Sequence, residues 1–186
     1  MNMNQSFLAF TLIASSQLFT SALAADGIIN FTGRLTESAC EVASKNISVN
    51  MGSVTAAEAK IFHDEPLGRV SEFELVLNNC PANINVASII IEGVAEPTNA
   101  SLFALDNAGQ PGVAKGIGIS LFTLDSPGSM KPIVPNEVSQ LTQPIDASPG
   151  NSNRIKFYAD YFGLNIGSEF ASGSANATMQ FSVLYN

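Results

Sequence analysis

Two cysteines, Cys40 and Cys80, and one histidine, His63, are the side chains in this 186-residue sequence best suited to metal binding, nucleophilic attack or covalent bridging. Two thiols and one imidazole fall short of the four ligands of a closed zinc site, and no Cys-x-x-Cys spacing exists. A catalytic thiol needs a positioned imidazole, yet His63 stands in the polar run His63-Asp64-Glu65-Pro66, which reads as a loop. A Ser-His-Asp arrangement has the same single imidazole to draw on. The carboxylates are scattered: Glu72 and Glu74 share one strand face and read as a solvated edge, not as an acid/base pair. Gly116-Ile117-Gly118 is a fragment of a phosphate-binding glycine motif without its third glycine or its helix, and reads as a closely packed strand. The residues therefore predict no enzyme, no cofactor and no metal site.

What remains for the cysteines is a bridge, and that depends on the compartment. Residues 1–24 carry no charged side chain, and Phe7–Ala14 is a short apolar run. Small residues at Ala22 and Ala24 fit a signal-peptidase pocket, so cleavage is expected before Ala25. The leader departs from the usual pattern in having no Lys or Arg ahead of the apolar run. That run is too short and interrupted to anchor in a bilayer. Export implies an oxidising compartment, where the pair Cys40 and Cys80 reads as a disulfide. Closing a loop of about 40 residues contributes roughly 4 kcal/mol in the chain-entropy picture.

The elements that must carry this bridge read as strands. Lys and Arg number 8 against 16 Asp and Glu, for a net charge of −8, which disfavours nucleic acid and anionic membrane as partners. Only 13% of residues are charged while 46% are hydrophobic, which fits a charge-poor folded β-domain. Runs over 28–36, 46–51, 73–77, 87–93, 116–122, 154–162 and 175–185 show strand patterning. Within 154–162, Ile155, Phe157, Ala159 and Tyr161 are expected inward and Arg154, Lys156, Tyr158 and Asp160 outward. Residues 54–60 could make a turn or two of helix. Turns fall at 107–112, 126–128 and 148–150. About seven short strands with no internal repeat predict one antiparallel sandwich. Its bridge either ties opposite sheets or pins neighbouring strand ends.

Both ends of the mature chain stand out. The last run places Ala175, Ala177, Met179, Phe181, Val183 and Tyr185 on one face, with no later strand to cover its edge. An uncovered edge beside a large apolar face is an aggregation hazard, so a partner is expected there. The opening segment 25–31 is itself strand-like. A free first strand and a needy last one suggest subunits that complete each other by strand addition, a heterologous link that builds fibres.

These residues resemble a chaperone–usher pilus subunit of the type 1 fimbrial family. The similarity spans the signal peptide, Gly33 ahead of Cys40, Leu77-Asn78-Asn79-Cys80-Pro81, and Phe157-Tyr158-Ala159-Asp160-Tyr161, which is similar to the family's Phe-x-Ala-x-Tyr strand. It ends in the C-terminal signature: Gly173 fourteenth from the end, penultimate Tyr185, and alternating apolar residues between.

The resemblance implies an all-β, incomplete immunoglobulin-like sandwich lacking its final strand. It divides the chain into a signal peptide (1–24), a donor-strand extension (25–35) and a pilin domain (36–186). A periplasmic pilus chaperone would fill the groove along Ala177, Met179, Phe181, Val183 and Tyr185 and hold the carboxylate of Asn186, with Gly173 in the same signature. At the outer-membrane usher the extension of another fimbrial subunit would replace it. Here that donor face is Gly27, Ile29, Phe31, Gly33 and Leu35. The implied role is structural: a subunit exported through the periplasm to a surface fimbria, serving adhesion, with a host-surface receptor met through the assembled fibre. Only fifteen residues, Ala25–Ala39, precede Cys40, which favours a minor, adaptor-type subunit over the rod or terminating subunit of the same fibre. A secreted carbohydrate-binding sandwich module is the alternative of a different class.

Overall fold

Alternation in sequence becomes two layers in the computed structural model, which describes residues 39–43, 45–125, 128–137, 142–165, 167 and 169–185. The strands are β1 (Glu41–Val42), β2 (Ser71–Asn78), β3 (Val86–Glu92), β4 (Ile117–Asp125), β5 (Ser129–Ile133), β6 (Thr142–Pro144), β7 (Ser152–Gly163) and β8 (Gln180–Tyr185). One short helix, α1 (Ala56–Ile61), interrupts them. A five-stranded sheet runs β1-β2-β7-β4-β5 and a three-stranded sheet β6-β3-β8, with every strand pair antiparallel.

The period of two decides which residues meet between the sheets. Leu75 and Leu77 of β2, Ile155, Phe157 and Ala159 of β7 and Ile117, Ile119 and Leu121 of β4 are buried against Ala87, Ile89 and Ile91 of β3. Register sets Phe73 opposite Phe157, and their rings stack with centroids 5.2 Å apart. The 28–36 run lies outside the described residues. Strands over 73–77, 87–92, 117–122 and 154–162 stand where the alternation predicts them.

Three expectations are corrected. Residues 46–51 alternate half-buried Ile47, Val49 and Met51 with exposed polar residues but join no ladder, because a cleft separates them from β8. The last strand begins only at Gln180, since its partner β3 stops at Glu92 and 175–179 have no strand to pair with among the described residues. Asp160 faces away from the core yet is 1% exposed, because the backbone N–H groups of Gly68 and Arg69 fold over it and donate to its carboxylate at 2.7 and 3.0 Å. Glu72 and Glu74 stand on a solvated edge as the sequence predicts, since β1 pairs with β2 only at Leu77 and Asn78, and the two carboxylates pair with Lys156 and Arg154 on β7 at 2.6 and 2.9 Å.

Three elements had no usable periodicity: β1 has two residues, β6 three, and β5 contains Pro132. Helix α1 is fixed by a capping box at its start. Thr55 Oγ1 accepts the Glu58 N–H, and Glu58 accepts the Thr55 N–H. The same carboxylate pairs with Arg69. Those bonds, the Thr55 N–H first, hold Glu58 down from its ordinary 4.5 to about 2.

Cys40 and Cys80 are bonded, with Cα atoms 4.1 Å apart. Cys40 immediately precedes β1 and Cys80 follows β2, so of the two arrangements left open the bridge takes the second: it pins neighbouring strand ends within one sheet.

Candidate functional site

β8 is an edge strand with an apolar inner face. Among the described residues it pairs only with β3, through Ala87–Glu92, so its other backbone edge has no ladder partner. Phe181, Val183 and Tyr185 pack half-buried against the core, and Ala175, Ala177 and Met179 continue that face upstream. Across from them run residues 45–52. Between the two lips lies an open cleft of about 1060 Å³. Its walls include core residues of both sheets: Phe73, Ile91, Ile119, Leu121, Ala159 and Tyr161. Lys45 is the single charged residue among the described residues lining it. A trough with an apolar wall and a bare strand edge can do one thing well: accept an extended chain. That chain would supply ladder hydrogen bonds to the edge and alternate side chains to the wall.

Two features mark the ends of this apolar face. At the β8 C-terminus the Tyr185 hydroxyl donates to the Cys40 carbonyl at 3.4 Å, joining the last strand to the disulfide. At the other end Gly173 lies where backbone crosses backbone. A Cβ there would stand 2.5 Å from Val113 C and 2.6 Å from Ala114 N and Gly112 O. Ser174 donates its N–H to Gly112 O at 2.8 Å and accepts the Ala114 N–H at 2.9 Å. A smaller cavity of about 240 Å³, lined by Gly173, Lys115 and Thr55 among others, sits here and shares Gly52, Tyr161 and Ala175 with the cleft. Burial pushes the Tyr161 and Tyr185 phenols above their ordinary value, so both remain neutral donors across the physiological range.

Of the residues singled out in sequence, Ala177, Met179 and Phe181 line one lip, Val183 and Tyr185 continue its face along β8 against the core, and Gly173 stands beyond its upstream end. Gly27, Ile29, Phe31, Gly33, Leu35 and Asn186 lie outside the described residues. Two contributors carry no sequence signal of their place here. The opposite lip has the alternation of a paired strand. Asp106, which bonds to the upstream lip, sits beside the 107–112 turn and shows no pattern of its own. His63 is exposed, with Nδ1 3.4 Å from the Lys60 carbonyl.

An all-β sandwich with an open strand edge and one bridge near its end defines an immunoglobulin-like domain of the pilin kind. The family described as "Fimbrial protein" matches residues 29–186, and the chain belongs to it, as a fimbrial subunit of the chaperone–usher type. It is 30% identical to "Protein LpfE" of Salmonella typhimurium over 94% of this chain and 92% of that one. It is 27% identical to the type-1 fimbrial protein A chain of Salmonella typhi, over 96% and 92%. Among solved structures, the P pilus rod subunit PapA superposes with a TM-score of 0.59 at 15% identity, over 80% of this chain and all of that one, a likeness of fold. A type I fimbria protein and antigen of Burkholderia pseudomallei does so at 0.51 and 25% identity, over 81% and 91%. The protein is thus a structural component of surface fimbriae that assembles with other pilus subunits, and its family is not enzymatic.

Proposed function

We propose that the cleft between residues 45–52 and 175–185 is the acceptor groove of a donor-strand subunit. It is filled first by a strand of a periplasmic pilus chaperone, then, at the outer-membrane usher, by the N-terminal extension of the next subunit. The observation that carries this is the bare outer edge of β8 beside a core-lined trough. Gly27, Ile29, Phe31, Gly33 and Leu35 form the alternating face of this chain's own donor segment, which enters the groove of a neighbouring subunit; residues 1–24 direct export. In this reading the chain is a minor, adaptor-type subunit in a fibre that serves adhesion. The shortness of the segment between the cleavage site and Cys40 supports that placement.

The test is expression of the mature chain with and without a pilus chaperone. With the chaperone, a one-to-one complex is recovered. Without it, the chain is degraded or self-associates through the open edge. Phe181→Glu places a charge on the groove face and abolishes complex formation. A soluble, protease-resistant monomer in the absence of any strand donor would sink the acceptor reading.

A further inference from the structure

The acceptor lip is held by two different devices along its length. From Gln180 to Tyr185 the ladder with β3 fixes the backbone. From Ala175 to Met179 there is no ladder, yet this stretch carries three of the apolar side chains that face the cleft. Side-chain and loop bonds do the holding here, and one residue supplies most of them. The Asp106 backbone N–H donates to Asn176 O at 2.8 Å. Its carboxylate accepts the Thr178 N–H at 3.0 Å and the Thr178 hydroxyl at 2.8 Å. Tyr161 adds a bond from its hydroxyl to Ala175 O at 3.2 Å. Asp106 thus takes the place of a missing strand neighbour, bonding at Asn176 and Thr178. Its charge makes these bonds stronger than neutral ones. The consequence is that Ala175, Ala177 and Met179 stay aimed at the trough.

Resting on the acceptor reading above, we infer that Asp106 is a positioning residue for strand uptake: it presents the upstream half of the lip in register with the β3-paired half, so that an incoming strand meets one continuous edge. Without it, residues 175–179 must be ordered at the moment of binding, which raises the entropic cost of uptake.

The test uses the full mature chain purified in complex with a pilus chaperone, and a synthetic peptide spanning residues 25–36 of this chain as the donor probe. Two readouts are taken: the rate at which the peptide replaces the chaperone, and amide exchange along the lip. Asp106→Ala is expected to slow uptake about ten-fold, the scale of lost hydrogen bonds to a charged group. It should also speed exchange at Thr178 while leaving Phe181–Leu184 unchanged. Asp106→Asn keeps an acceptor for the Thr178 N–H and should stay within about three-fold of the unaltered chain. Ile133→Ala, a buried position on β5 away from the cleft, controls for general destabilisation. If Asp106→Ala yields no complex, Thr178→Val removes only the hydroxyl bond and should slow uptake about three-fold. Uptake by Asp106→Ala at the unaltered rate, equal slowing in Ile133→Ala, or an unaltered rate in Thr178→Val overturns the inference alone. No uptake by the unaltered chain overturns the acceptor reading and this inference with it.

Discussion

Replacing Gly173 by alanine tests whether the C-terminal glycine acts through space. The three atoms nearest its would-be Cβ are backbone atoms of Gly112, Val113 and Ala114, at 2.5 to 2.6 Å. Backbone cannot rotate away as a side chain can, so two strands of chain must separate. Overpacking of this kind costs about 1–3 kcal/mol. The separation also strains the two bonds that Ser174 makes with Gly112 and Ala114, each contributing about 1 kcal/mol. The sum, about 3–5 kcal/mol, is a large share of the roughly 5–15 kcal/mol that holds a domain together. For a chain of this size it lowers Tm by about 6–20 °C. The assay is thermal unfolding of the chain with the residue 25–36 peptide bound in excess, so that groove occupancy is the same in both proteins. Gly150→Ala is the comparison: that position has φ of +79° but nothing within 4 Å of its Cβ, so it reports backbone strain without a clash. A Tm for Gly173→Ala within about 2 °C of the unaltered chain, or a loss no larger than that of Gly150→Ala, would refute the steric account.

Three further outcomes are expected. Cys40→Ser frees a loop closed across 40 residues and should cost about 4 kcal/mol, read as a fall in chaperone–subunit complex yield; an unchanged yield shows the bridge to be dispensable. The Glu58 carboxyl is lowered from 4.5 to about 2, so its contribution is complete above pH 4.5 and lost as pH falls toward 2; amide exchange at Glu58 and Ala59 should quicken in that window, and Glu58→Gln should remove the pH dependence. Asp160→Ala leaves the Gly68 and Arg69 N–H groups without their acceptor under a buried site, and should cost about 2–3 kcal/mol in denaturant melts with faster proteolysis near residue 68.

How far the sequence revealed this fold depends on how long each pattern runs. β7 alternates across twelve residues, and its inward set was legible to the residue; only Asp160 deceived, because the loop that covers it comes from 92 positions away. The lip at 46–51 alternates just as well, but alternation reports which face is buried and is silent about hydrogen-bond partners. A half-buried segment beside a cleft and one inside a sheet have the same pattern. The apolar face from Ala177 to Tyr185 was visible for the same reason, whereas the start of its strand at Gln180 depends on where β3 ends. The capping box Thr55-x-x-Glu58 was present in the sequence and marks the start of α1. Asp106 had no local signal, since its partners are 70 and 72 residues away and it belongs to no periodic element.

The disulfide also determines how the domain carries force. On the strand-exchange reading proposed above, in which the residues ahead of Cys40 join neighbouring subunits, a pull on the cell surface enters each subunit at that cysteine. β1 offers only two paired residues, which would peel away one bond at a time under such a load. The covalent link carries the tension past them to the end of β2, whose eight residues are matched to β7 along their whole length. Tension along that strand stretches eight pairs in parallel as shear, not in succession. A reduced fibre should therefore extend at lower force than an oxidised one, in single-fibre pulling, even where both assemble.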